Sequence, residues 1–262
     1  MRRLASFVAV LLAIWAYVPA QAATPAAGLP AAGQLTVAEQ YLFAAANAER
    51  SQRGLPNLRW DPGLYRAADM HAREMAARAS ISHQYPGEID LAGRGRQAGV
   101  RFSMIAENVA EAPTAVRIHD AWMASEGHRE NLLDARADSV GIRVLRRDGE
   151  LYAVEDFARA VESRTIVEQE SEVQSLLQSV SLVTVVPATE ETRRTCTMDT
   201  GYAGQRKPWF VMRYTTANLS LLPEALKTQL ATGKYHQAQV GACTATDRPE
   251  FSTFKLAVLL YP

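Results

Sequence analysis

Five histidines are the residues of this 262-residue chain best suited to acid–base or metal chemistry, and they fall into two groups. His71 and His119 lie within amphipathic helical runs, and His236, in Lys234-Tyr235-His236-Gln237, has no recognisable partner; packing or solvent exposure accounts for all three. His83 and His128 read differently. Ser82-His83-Gln84 follows one helical run and Ser125-Glu126-Gly127-His128-Arg129 follows another, which places both in loops beside helix ends. Loops held by a rigid scaffold carry function disproportionately. Between them, Ala106-Glu107-Asn108-Val109 sets a carboxylate in an apolar stretch. Two imidazoles and one carboxylate that converge make either a proton-transfer pair or an N,N,O metal site. The competing structural reading is that they hydrogen-bond to one another and to backbone, pinning the loops. On spacing alone that reading is favoured, because the three lie more than twenty residues apart.

The usual nucleophile and phosphate motifs are missing from the sequence: G-x-S-x-G, H-E-x-x-H, a P-loop, and G-x-G-x-x-G after a strand. Two cysteines, Cys196 and Cys243, are too few for a disulfide scaffold or a cysteine-based zinc site. In an oxidising compartment an isolated pair is most simply a structural disulfide.

The elements that must position these groups announce themselves locally. Thr36-x-x-Glu39 is a capping box ahead of a helix carrying Leu42, Phe43, Ala46 and Arg50, with Gly54 past its end. Asp61-Pro62 opens a second helix through Ala79, Ile89–Ala98 is a short third, and Thr114 caps a fourth that runs to about Ser125. The period then changes from 3.6 to 2: Ser139–Arg146 and Leu151–Phe157 are strands of a hairpin turned by Asp148-Gly149. This first unit closes near Ala160. Residues 161–194 read as a linker with one connecting helix and an extended segment. The tail, 195–262, has strand-like ends at Trp209–Tyr214 and Phe254–Leu260 around a helix over Pro223–Leu230. Its aromatics Tyr202, Trp209, Phe210, Tyr214 and Tyr235 are expected in the core.

Composition bounds the function. The chain is 48% apolar and 21% charged with no net charge, an ordinary globular protein without the cationic excess of a nucleic-acid binder. Residues 1–22 have a basic start, an apolar run over Phe7–Val18 and an Ala20-Gln21-Ala22 close, the pattern of a cleaved signal peptide. Residues 23–34 are an Ala/Pro/Gly-rich flexible leader. Removal of Arg2 and Arg3 leaves a charge of −2 and no further membrane-spanning segment, so the expected location is secreted or periplasmic.

Several short elements occur in one order: Asn47-x-x-Arg50, Leu58-x-Trp60-Asp61-x-x-Leu64, Ala67-Ala68-x-x-His71-Ala72-x-x-Met75, Ser82-His83, Glu107-Asn108, Trp122-x-x-Ser125-x-Gly127-His128-Arg129-x-Asn131-Leu132-Leu133 and Gly141-Ile142. Together they resemble the CAP superfamily (cysteine-rich secretory proteins, antigen 5 and pathogenesis-related 1; also called SCP-like), most closely its prokaryotic branch. The resemblance covers about residues 35–160. It implies an α+β fold, an α-β-α sandwich, here followed by a smaller mixed or mainly β C-terminal domain over 195–262 with the Cys196–Cys243 bridge. It also implies a cleft with two histidines and two glutamates that in some members binds a divalent cation such as Zn2+. His83, Glu107 and His128 match three of those positions. The fourth is Ser125, with Asn108 beside Glu107 completing the cleft, so a metal has a depleted ligand set.

Two functions follow from the resemblance. One is a non-catalytic extracellular or envelope module that binds a small molecule, lipid or cell-wall component. The other is an extracellular hydrolase, a peptidase or cell-wall enzyme, with Glu107 and His128 as acid/base pair and Ser125 as a conceivable nucleophile. The missing fourth acid favours the binding module.

Overall fold

The computed structural model describes residues 35–245 and 251–262; the expected signal and leader over 1–34 lie outside the described residues. Regular structure opens with α1 (Val37–Gln52), capped reciprocally by Thr36 and Glu39 as its sequence predicts. It continues through β1 (Arg59–Trp60), α2 (Pro62–Arg78), α3 (Leu91–Gln97), β2 (Phe102–Ala112), α4 (Ala115–Ala124), α5 (Glu126–Leu133), β3 (Ser139–Arg147) and β4 (Glu150–Ala160). Asp61 caps α2 by accepting from the Gly63 and Leu64 amides, and Thr114 caps α4. The β3–β4 hairpin turns at Asp148 and Gly149, both at positive φ (50° and 92°), the backbone an Asp-Gly turn needs.

These strands form one sheet in the order β1-β3-β4-β2, with β1 parallel to β3 and the other pairs antiparallel. Because side chains alternate along a strand, β4 serves two cores at once. Leu151, Ala153 and Phe157 pack with Ile142 and Val144 against Leu42 and Ala46 of α1, Ile118 and Trp122 of α4, and Leu132 of α5. Tyr152 and Val154 face the other way, onto Ala68, Ala72 and Met75 of α2. The result is an α-β-α sandwich. At Gly141 the strand lies directly on α2: any Cβ there would collide with the Tyr65 amide nitrogen and the backbone of Leu64.

Two conspicuous motif residues are structural. Arg50 is fully buried and donates to the carbonyls of Pro56 (2.8 Å), Leu132 (2.9 Å), Asp134 (2.9 Å) and Ala137 (3.0 Å), tying α1 to the end of α5. Asn47 clamps both backbone groups of Leu58, accepting from its amide at 2.7 Å and donating to its carbonyl at 3.2 Å.

The rest of the chain builds a second unit: α6 (Ile166–Val180), β5 (Thr184–Val186), α7 (Glu190–Thr197), β6 (Phe210–Thr216), α8 (Glu224–Ala231), β7 (Gln237–Cys243) and β8 (Phe254–Tyr261). Its sheet has the order β5-β7-β8-β6. The segment read from the sequence as a linker contributes α6, β5 and the first turn of α7 to this unit, with Val173 and Leu177 in its core. The Cys196–Cys243 disulfide is present, joining α7 to β7 with Cα atoms 5.9 Å apart. Trp209 corrects the expectation of a core aromatic: it is 61% exposed. Trp209 stands just before β6, the edge strand of this sheet, where only β8 lies alongside. The other four aromatics are half-buried.

Candidate functional site

Glu107 occupies the middle of β2, the edge strand of the first sheet, opposite Asp156 of β4. Its side chain turns to the α2 face and is almost fully buried. One carboxylate oxygen lies 3.0 Å from Nδ1 of His83, in the loop between α2 and α3; the other receives the guanidinium of Arg94. Arg94, on α3, is itself buried and reaches Glu88 at 3.4 Å and the Ile89 carbonyl at 3.2 Å. Glu88 also holds Nδ1 of His71 at 2.6 Å, while Nε2 of His71 meets the Ser82 carbonyl at 2.6 Å. The network therefore closes on itself: it leaves the loop at His83 and returns one residue earlier, fixing the loop from below.

His128 corrects the loop assignment. It lies in the first turn of α5, which a single residue separates from α4, with that residue, Ser125, in extended conformation (φ −86°, ψ 126°) as the hinge. Polar residues and Gly127 give Glu126–Leu133 little helical signal. The helix is held by buried Leu132 and by two asparagines instead. Asn131 donates to the Glu107 carbonyl (3.1 Å) and to the Asn108 side chain (3.0 Å), and Asn108 donates to the His128 carbonyl (3.0 Å). These bonds fasten α5 to the strand carrying Glu107 and bring the rings of His83 and His128 to a centroid separation of 6.1 Å.

The tertiary structure thus gathers His83, Glu107, His128 and Asn108. Ser125 stands at the helix junction, half-buried, and makes no capping bond. The sequence reading missed Arg94, Glu88 and His71. Only the wholly buried setting of an arginine in Leu91–Gln97 and of a histidine on the apolar side of α2 identifies them.

The electrostatics divide the two imidazoles. The bond to Glu107 raises the pKa of His83 above its ordinary value, against the cost of partial burial. Burial lowers that of His128, and the neighbouring His83 adds to the drop. As pH falls, His83 takes up its proton first and His128 stays neutral longer. Beneath them, Asp156 is fully buried, and its carboxyl is raised well above the usual range by burial and by the charge of Glu107. On the opposite face of β4, Glu155 is raised to about 8 by burial, with the Asn108 amide opposing.

This geometry does not present His83, Glu107 and His128 as one ligand set for a divalent cation. Both Glu107 oxygens are already engaged, and among the described residues no cluster of three or more His, Cys, Asp or Glu is arranged to hold a metal. Two imidazoles remain, fewer than the three protein ligands of an ordinary catalytic zinc site.

The sequence profile of the cysteine-rich secretory protein family (CAP) matches residues 43–157. YkwD of Bacillus subtilis is 30% identical over 105 residues, 40% of this chain and 41% of that protein. The membrane protein YlbC of the same organism is 30% identical over 116 residues, 43% of this chain and 33% of that protein. The chain thus spans about two fifths or less of the curated relatives it matches. Among solved structures, an extracellular protein containing an SCP domain from Bacillus anthracis is 31% identical with a TM-score of 0.43, over 47% of this chain and 40% of that one.

Proposed function

Since residues 43–157 belong to the cysteine-rich secretory protein family, we propose that the chain works outside the cytoplasm, secreted or periplasmic, as a non-catalytic binding module. The observation that carries this reading is the state of Glu107. A general acid or base needs a carboxyl free to exchange its proton with substrate. Glu107 is instead buried, ion-paired to Arg94 and bonded to His83. It orients the His83 ring, leaving Nε2 to face a ligand from a side chain that is 61% exposed. Ser125 has no hydrogen bond to a base among the described residues, so the nucleophile–base pair of a serine hydrolase is not assembled.

The ligand favoured by this cluster is an extracellular small molecule with an anionic or acceptor group, such as a lipid headgroup or a cell-wall fragment. His83 supplies a proton-bearing ring and His128 a neutral one. A divalent cation is offered only the two imidazoles, and metal is not part of the proposed mechanism.

Three measurements on the full chain test the reading. Soluble peptidoglycan fragments and anionic vesicles are titrated against wild type, His83→Ala and His128→Ala, and binding to one of them is expected to weaken at least several-fold in both variants. Peptidoglycan and a peptide library are expected to survive incubation; turnover that His128→Ala lacks would establish the hydrolase instead. Zinc at tens of micromolar is expected to leave the unfolding temperature nearly unchanged. A large concentration-dependent rise, the signature of native-state binding, would show that Glu107 exchanges Arg94 for metal.

A further inference from the structure

We infer that the C-terminal unit is a second copy of the same fold that lacks the His/Glu cluster. The two sheets have the same plan. In the order β1-β3-β4-β2 the short first strand is parallel to the third and the remaining pairs are antiparallel; in β5-β7-β8-β6 every neighbour relation is repeated. The helices agree as well. Each unit opens on a capping-box helix, Thr36-x-x-Glu39 in one and Thr165-x-x-Glu168 in the other. Each opening helix packs on the same side of its sheet, α1 on Ile142 and Val144, α6 on Val240 and Ala242. The second helix, α2 or α7, covers the opposite side.

The correspondence holds residue by residue. Gly141 lies against the α2 backbone at Leu64 and Tyr65, three and four residues past the Asp61 cap; Gly241 lies against the α7 backbone at Thr192 and Arg193, three and four past the Thr189 cap. Neither position has room for a Cβ. Two residues further along the strand, Arg143 pairs with Asp69 of α2 at 2.8 Å, and Cys243 is bonded to Cys196 of α7. From the same strand position the second copy makes a covalent cross-link and the first an ion pair, with Cys196 standing at the position of Ala68, one residue before Asp69.

Carried across the sheet, the same register shows what became of the site. Gly141 faces Asp156, which faces Glu107; Gly241 faces Ala257, which faces Arg213. The counterparts of Glu107, Asn108, Glu155 and Asp156 are therefore Arg213, Tyr214, Leu256 and Ala257. Arg213 turns its guanidinium onto the Thr195 carbonyl at 2.8 Å and onto that of Gly201, closing the strand against α7. The helix α7 ends at Thr197, before the position equivalent to His71. Every buried acid of the first site is lost together. Among the described residues, only the first of the two scaffolds carries this His/Glu cluster, and that does not depend on what the cluster binds.

A cross-link transferred between copies tests the correspondence. In the full chain, Ala68→Cys with Arg143→Cys is expected to form a disulfide under mild oxidation, located by mass spectrometry of non-reduced peptides, with Cys196–Cys243 intact. The offset pair Asp69→Cys with Arg143→Cys, about 100° further round the helix, is expected to keep free thiols. Closure of the offset pair and not the first would overturn the equivalence. Should either variant fail to fold, an experimental structure of the wild type decides: the paired strands of the two units superpose to about the 2–3 Å expected of a shared fold in the stated register, or another register fits better and the duplication is refuted.

Discussion

Glu155 offers the sharpest test of the buried chemistry. It is fully enclosed between β3 and β2 on the face that packs α1, α4 and α5, beside the Asn108 amide. Burial raises its carboxyl from an ordinary 4.5 to about 8. The native protein therefore keeps this proton over a range in which the unfolded chain has lost it. A carboxyl raised on folding contributes fully below the unfolded pKa, and its contribution is lost as pH climbs through the folded one. At 1.36 kcal/mol per pH unit, the loss between pH 4.5 and 8 is roughly 4–5 kcal/mol. Glu155→Gln removes the ionisation and keeps the shape. Its amide carries one more donor than a carboxylic acid, so near pH 5 the variant is expected to be no more stable than wild type, or about 1–2 kcal/mol weaker. By pH 8 it should be the more stable by a few kcal/mol. Urea unfolding of both proteins at half-unit steps from pH 5 to 8.5 reads the difference directly. Parallel curves across that range would refute the claim that Glu155 is held protonated.

Arg94→Leu leaves Glu107 buried without its guanidinium, with His83 as its remaining side-chain partner, and is expected to cost about 3–5 kcal/mol in urea unfolding at pH 7; an unchanged midpoint would mean the pair is not closed in solution. Gly141→Ala should lose at least 1–3 kcal/mol by forcing β3 off α2, whereas Gly127→Ala, with open space around it, should gain up to about 1 kcal/mol from helix propensity. In an NMR titration His83 should show a pKa above 6.5 and His128 one below it. His83 then contributes stability that fades as pH rises past 6.5, His128 contributes stability that fades as pH falls below it, and His83→Ala should move His128 upward. Cys196→Ser with Cys243→Ser opens a 47-residue separation and should cost about 4 kcal/mol on the loop-entropy scale, read as loss of amide protection confined to residues 165–261.

The sequence alone determined whatever is settled within a few residues. Thr36, Asp61 and Thr114 cap their helices because a side-chain oxygen reaches an amide two or three positions on. Asp148-Gly149 turns its hairpin because those two residues accept positive φ. The ordered motifs around Asn47, His83, Glu107 and His128 were legible for the same reason, as residue types at short spacing. Tertiary structure decided the rest. The edge strand β2, the helix α5 and the strand β7 have weak local signals and exist because distant partners complete their hydrogen bonds and bury their apolar faces. Arg94, Glu88 and His71 gain meaning only when α2, α3 and β2 are brought together, since an ion pair is a matter of distance in space and burial. The likeness of the two units was hidden for a related reason. A glycine beneath a helix and a cross-link two residues beyond it follow from contact geometry, which side chains as unlike as Arg143 and Cys243 satisfy equally well.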